Sequence, residues 1–184
     1  MIEIRWHGRG GQGGVTSADL VAKAAISEGK YAQAFPSFGP ERRGAPVLAF
    51  VRIDSEKPIK IRAGITQPDI VVVLDSSLLR ITDIIAGLKE GGTVVINTQK
   101  TAGKIRSEFG ISGRLATIDA TKVARELLGV PIVNTTMTGA MLKATGVIRL
   151  DSMKEPLEKR FGRLAERNIK AMERAYEETL VEEQ

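Results

Sequence analysis

RWHGRGGQGGVTSADL, Arg5 to Leu20, is the stretch on which the reading of this chain turns. Five glycines fall between Gly8 and Gly14, and Gly8, Gly10 and Gly13 fit the spacing G-x-G-x-x-G. Glycine costs backbone entropy on folding, so such density marks a place where the chain needs conformations that other residues resist. Before the loop, Ile2 to Trp6 alternates apolar and polar residues as a strand does. After it, Val15 to Gly29 reads as an alanine-rich helix, apolar on most faces and hence buried on most sides, with Gly29 as its stop. Strand, tight loop and buried helix open a βαβ unit.

Two readings of the loop follow. In the first, the free N–H groups and partial positive charge at the helix N-terminus take an anion, with Arg9 and Gln12 adding donors. In the second, the glycines serve only a tight turn and close packing of helix on sheet. A dinucleotide site asks for one thing more, an Asp or Glu about 20 residues past the loop to hold a ribose. Lys30 to Phe38 contains no acid, and Glu41 lies in a Pro/Gly loop beside Arg42 and Arg43. NAD is therefore disfavoured. NADP stays open as an alternative, a free-standing NADP-dependent reductase using the Gly8–Gly13 loop, because Arg42 or Arg43 can meet a 2′-phosphate. G-x-x-x-x-G-K-[ST] is absent, which leaves ATP or GTP hydrolysis without support.

Outward from the loop, Lys30 to Phe35 and Val47 to Ile53 read as strands around a loop broken by Gly39, Pro40, Gly44 and Pro46. A turn at Asp54 to Pro58 before Ile59 to Arg62 predicts an antiparallel hairpin near residues 47–62. DIVVVLD, Asp69 to Asp75, is an unbroken β-branched run and predicts a central strand buried on both faces. A helix is expected over Ser76 to Lys89, strands over Thr93 to Asn97 and Leu115 to Asp119, and helices over Thr121 to Leu128 and Asn134 to Thr145. From Ser152 the tail reads as a charged helix with one apolar stripe, from Leu157 and Phe161 to Tyr176 and Leu180. The fold expected is a three-layer, Rossmann-like α/β domain over residues 1–150 with a mostly parallel sheet, and residues 151–184 as its C-terminal helical extension.

Composition narrows function. The chain has 184 residues, 42% of them hydrophobic, with 1 Trp, 2 Tyr and 5 Phe, so its core must be largely aliphatic. No cysteine is present, which excludes thiol catalysis and disulfides and leaves no thiolate for an iron–sulfur cluster. The lone His7 cannot build a zinc site by itself. No apolar run approaches the roughly 20 residues of a membrane span, and MIEIRWHG does not resemble a secretion signal; a cytoplasmic protein is expected. The net charge of +5 suits an anionic partner. The basic residues are scattered among acids without interleaved aromatics, so nucleic acid is not expected.

The remaining candidates are local. Phe35 to Ile53 combines Phe35 and Phe38 with Glu41, Arg42 and Arg43 in a rigid loop. Paired arginines suit a carboxylate, a phosphate or an acidic partner surface, and loop phenylalanines are poorly placed in open water, which favours an interface over a solvated loop. His7 is either catalytic or hydrogen-bonded structure. Asp75, Ser76 and Ser77 stand where open α/β sheets bind ligands, and equally where a helix takes its N-cap. Asn134, Thr135 and Thr136 carry the same ambiguity.

RWHGRGGQGG (5–14), AFPSFGPERRGAPVLAFVRI (34–53) and NTTMTGA (134–140) together resemble the gamma subunit of 2-oxoacid:ferredoxin oxidoreductases, the pyruvate, 2-oxoisovalerate and 2-oxoglutarate enzymes. The likeness runs over nearly the whole chain; Met137 and Thr138 stand where many relatives are richer in leucine. It implies a Rossmann-like subunit, inactive alone and without catalytic residues of its own, in an enzyme that converts a 2-oxoacid (pyruvate the first guess) and coenzyme A to acyl-CoA and carbon dioxide. Thiamine diphosphate, Mg and 4Fe-4S clusters would be held by alpha, beta and delta subunits, and ferredoxin would be met through the assembled enzyme. The resemblance implies that Gly8, Arg9, Gly10, Gly11, Gln12, Gly13, Arg42, Arg43, Asn134 and Thr135 line the coenzyme A path or an interface, with Phe35, Phe38 and Glu41 at that interface.

Overall fold

A computed structural model describes residues 1–37 and 44–183. Phe38, Glu41, Arg42 and Arg43 lie outside the described residues.

The strands are β1 (Ile2–Arg9), β2 (Tyr31–Pro36), β3 (Pro46–Asp54), β4 (Ile70–Val73), β5 (Thr93–Asn97), β6 (Arg114–Ile118) and β7 (Leu180–Glu182), joined in one seven-stranded sheet of order β2-β3-β1-β4-β5-β6-β7. β1, β4, β5 and β6 pair parallel. β3 is antiparallel to both β1 and β2, and β7 is antiparallel to β6. Thus β1, β2, β4, β5 and β6 all run one way, as the strand–helix alternation predicts. The hairpin expected near residues 47–62 does not form: β3 pairs with β2 and β1 instead, and Ile59 to Arg62 forms no strand.

β4 shows why a continuous β-branched run is stable here. Ile70 and Val72 pack with Ile4 and Trp6 on one face, and Val71 and Val73 with Val94, Ile96 and Ile105 on the other. All four β4 residues are buried. The first face is covered by α1 (Gly14–Ser27), α3 (Ala120–Leu128), α4 (Asn134–Thr145), α5 (Lys154–Phe161) and α6 (Ala165–Glu178). The second is covered by α2 (Ala102–Phe109) and a 3-10 turn at Ser76–Arg80. Three layers result.

Among the described residues no helix covers the second face over β1 and β3. Arg5 and Arg52 are buried there, and a buried guanidinium is tolerable only when its N–H groups find acceptors. Arg5 donates to the carbonyls of Ile84 at 2.9 Å and Ala86 at 2.7 Å; Arg52 donates to Glu3 at 2.8 Å and to the Ile61 carbonyl at 3.2 Å. Those carbonyls are drawn from coil. This is why the expected helix over Ser76 to Lys89 stops at Arg80, and why Ile59 to Arg62 lies across the sheet rather than in it.

The tail also departs from expectation. It is two helices and a strand, not one helix. Gly162, at φ 51 and ψ −121, breaks it between α5 and α6. Leu157, Met172 and Ala175 are fully buried in the main cluster, whereas Leu164 of the expected stripe is 51% exposed. α6 crosses α4 at Gly139, where a Cβ would stand 2.1 Å from the Met172 carbonyl oxygen. Only glycine permits that approach.

Candidate functional site

β1 ends at the glycine loop, and α1 leaves it on the first face of the sheet. Gly13 caps α1 in the left-handed region, at φ 81, with no side-chain cap. The first-turn N–H groups of a helix have no intrahelical acceptor, so this end of α1 presents donors and partial positive charge. Asn134, at the start of α4, packs directly on the loop: a Cβ on Gly13 would lie 2.9 Å from its Nδ2. The Ser17 hydroxyl donates to the Asn134 carbonyl at 3.0 Å, tying α1 to α4. The structure thus joins Gly13 and Asn134, far apart in sequence. Thr135 turns away from the loop and donates to Asn168 Oδ1 at 3.0 Å inside the core. It holds α4 on α6 and lies buried between them.

Arg9 and Gln12 reach the loop but are already engaged. Arg9 Nε lies 3.0 Å from Asp75 Oδ2, and its terminal nitrogens donate to the Ser77 hydroxyl at 2.8 Å and the Gly44 carbonyl at 3.0 Å. Gln12 Nε2 donates to the same Asp75 oxygen at 3.1 Å, while its Oε1 accepts from the Arg9 N–H at 2.7 Å. Asp75, at the end of β4, also caps the 3-10 turn by accepting from the Ser77 N–H at 2.9 Å. Burial alone would raise its pKa, but the bonds from Ser77, Gln12 and Arg9 outweigh that and hold it below the usual carboxylate range. The protein's own carboxylate therefore takes the donors that the sequence offers to an external anion.

His7 is structural. It is 4% exposed, and its Nε2 accepts from Arg5 Nε at 3.0 Å. Burial, and secondarily the charge of Arg5, push its pKa down to about 3. The ring stays neutral at neutral pH. Phe35 pairs with Phe50 at 5.3 Å between ring centroids, with Arg52 5.5 Å over it, so it belongs to the β2–β3 surface rather than to a bare loop.

Two clefts flank the loop. One, of about 650 Å³, opens over the carboxyl ends of β4, β5 and β6, where Asp75, Asn97, Asp119, Thr121 and Arg125 converge. Asn97 spans its floor, donating to the Leu74 carbonyl at 2.9 Å and to the Thr121 hydroxyl at 3.0 Å. Asp119 caps α3 by accepting from the Lys122 N–H at 2.9 Å. Sequence reading missed Asn97 and Asp119 as site residues; their position at strand ends was the available signal. The other cleft, of about 290 Å³, lies on the β3 side between the loop, Val15, Thr16 and Val47. Here the α1 N-terminus faces open space, and an anion can be held by backbone donors.

Of the groups implied by the resemblance, a cluster finds no cysteine here to ligate it, and among the described residues no group of three or more His, Cys, Asp or Glu could hold a metal ion. A dinucleotide site is no better served. β3 stands antiparallel between β1 and β2, so the strand after α1 does not lie beside the glycine loop, where a ribose-binding side chain would be needed.

The molecule is an α/β domain whose glycine loop joins β1, within the sheet, to α1. The chain belongs to the pyruvate ferredoxin/flavodoxin oxidoreductase family, whose model matches residues 3–178. It is 55% identical, over 100% of both chains, to the pyruvate/ketoisovalerate oxidoreductases common subunit gamma of Thermococcus kodakarensis. It is 51% identical, over 98% of both, to the pyruvate synthase subunit PorC of Methanocaldococcus jannaschii. Among solved structures, pyruvate oxidoreductase subunit PORC of Thermotoga maritima superposes with a TM-score of 0.89 at 39% identity, covering 99% of this chain and 98% of that one.

Proposed function

We propose that this chain is the gamma subunit of a pyruvate/ketoisovalerate:ferredoxin oxidoreductase, contributing to oxidative decarboxylation of a 2-oxoacid with coenzyme A and reduction of ferredoxin. The observation that carries this reading is full-length identity of 55% to a gamma subunit of that enzyme. The glycine loop and the cleft beside it lie on the coenzyme A path. Their backbone donors suit its phosphates, and Asp75 keeps Arg9 and Gln12 in place around the loop. Pyruvate is the first substrate to test. Thiamine diphosphate, Mg and the clusters reside in alpha, beta and delta subunits, since this chain lacks the side chains to hold a cluster. The assembly works in the cytoplasm; among the described residues no helix is long and apolar enough to cross a membrane.

The test is an anaerobic pull-down of the tagged chain from its native cells, with mass spectrometry of what accompanies it. Equal amounts of a thiamine-diphosphate subunit and a ferredoxin-like subunit support the assembly. A chain that emerges alone and binds NADPH refutes it.

A further inference from the structure

Between β3 and β4 the chain crosses the second face of the sheet as an irregular strap, from Ser55 to Pro68. Its backbone is pinned to the sheet beneath. The Ile61 carbonyl accepts from Arg52 at 3.2 Å and the Ile65 carbonyl from Arg5 at 3.4 Å. Beside it runs the coil before β5, held by the same Arg5 and packed so closely that a Cβ on Gly87 would overlap the Thr66 carbonyl oxygen. The Lys89 N–H donates to the Pro68 carbonyl at 3.0 Å.

What the strap leaves outward is chiefly donors and positive charge. Among the described residues no backbone N–H from Ile59 to Gln67 donates to an acceptor within the protein. Every residue from Ser55 to Gly64 is exposed except Ile59. That run holds Lys57, Lys60 and Arg62 against one acid, Glu56, and none of the three cations makes an ion pair among the described residues. Arg62 Nε lies 3.1 Å from the Gln33 side-chain amide, which carries no charge. The carboxylates at the two ends of the strap are engaged, Asp54 by the N-terminal amine at 3.4 Å and Asp69 by Lys89 at 2.9 Å. Ile61 stands 53% exposed among the cations.

We infer that the strap is the docking surface for an acidic segment of another subunit of the assembly, with carboxylates on Lys57, Lys60 and Arg62 and main-chain carbonyls on the open N–H groups. A row of cations beside unpartnered main-chain donors complements a length of acidic chain better than a single anion. The strap carries no aromatic side chain on which a base could stack, which disfavours nucleic acid. An electron carrier has no cluster to reach here, because the chain has no cysteine to hold one. On the other half of this face α2 forms a third layer; over β1 and β3 the neighbouring subunit supplies it. A strap already pinned loses little freedom on docking. This inference rests on reading the chain as an assembled subunit.

Hydrogen exchange on the free full-length chain and on the assembled oxidoreductase tests it. The open amides from Ile59 to Gln67 should exchange fast in the free chain and slow by about tenfold or more in the assembly. In Lys57→Glu/Lys60→Glu that protection should be lost, and the subunit should leave the assembly at lower salt, while the urea midpoint of the free chain stays native. Lys57→Gln/Lys60→Gln should fall between. Amides as fast in the assembly as in the free chain overturn the inference, as does protection that both variants keep. An intact assembly in which the glutamate variant raises only KM for ferredoxin also overturns it; the strap then serves a transient carrier. Protection that appears only when heparin is added overturns it in favour of a general polyanion site. A chain that joins no thiamine-diphosphate or ferredoxin-like subunit refutes the proposed function and this inference with it, whereas an assembly that forms with the strap open refutes this inference alone.

Discussion

Substituting alanine at Gly13 separates the two roles that a glycine loop can have. Gly13 has φ 81, a region costing a non-glycine residue about 1–2 kcal/mol. Its new Cβ would also meet Asn134 Nδ2 at 2.9 Å and Cγ at 3.0 Å, inside normal contact. Overpacking of that kind costs about 1–3 kcal/mol. The expected total is about 2–5 kcal/mol. Gly11 is the internal control, because it has φ 93 but nothing within 4 Å of a Cβ. Gly11→Ala should cost only the conformational term, about 1–2 kcal/mol. Urea denaturation of both variants reads the difference. With a slope of about 1–3 kcal/mol per M, Gly13→Ala should shift the midpoint by about 1 M more than Gly11→Ala. Adding Asn134→Ala to Gly13→Ala should recover part of the loss, with a coupling of about 1 kcal/mol. Equal costs for the two glycines and no coupling would refute the claim that α4 is packed onto the loop through Asn134.

Three further outcomes are expected. Asp75→Ala removes the acceptor shared by Arg9 and Gln12, both partly solvent-accessible, and should cost about 1–2 kcal/mol; because it frees Arg9, added phosphate should raise the melting temperature of the variant more than that of the native chain, and equal shifts would count against the latch. His7 has its folded-state pKa lowered from 6.5 to about 3, so the unfolded chain binds its proton first, and stability conferred by the neutral ring is complete above about pH 6.5 and is lost as pH falls toward 3. The slope is up to about 1.4 kcal/mol per pH unit, and His7→Gln should flatten urea midpoints measured across that window. Gly139→Ala forces α4 and α6 apart and should cost about 3 kcal/mol or more, seen as loss of soluble folded chain or a large drop in midpoint; a cost under about 1 kcal/mol would mean that the crossing is looser than the 2.1 Å approach implies.

How much of the site could be read early differs by residue. The strand–loop–helix unit was legible because each part has a local cause: alternation in β1, glycines with nowhere better to be, and an alanine-rich helix buried on most sides. Asp75 was legible as a helix cap. Its hold on Arg9 and Gln12 was not, because the partners lie more than sixty positions apart and meet only once β1 and β4 pair in parallel. The hollow between the last turns of α1 and α5 was invisible for the same reason, since Lys23 and Arg160 are brought together by the docking of α5 on α1.

The sequence by itself determined the α/β class, the buried central strand Ile70–Val73 and the absence of thiolate chemistry. These depend on side-chain periodicity and on which atoms exist, and both are properties of the chain before it folds. Only the tertiary structure decided that β3 would stand between β1 and β2, that Arg5 would capture the carbonyls of residues expected to be helical, and that the tail would break at Gly162 and join the core. Each of these is a competition between distant groups for burial or hydrogen bonds, and no local propensity encodes who wins.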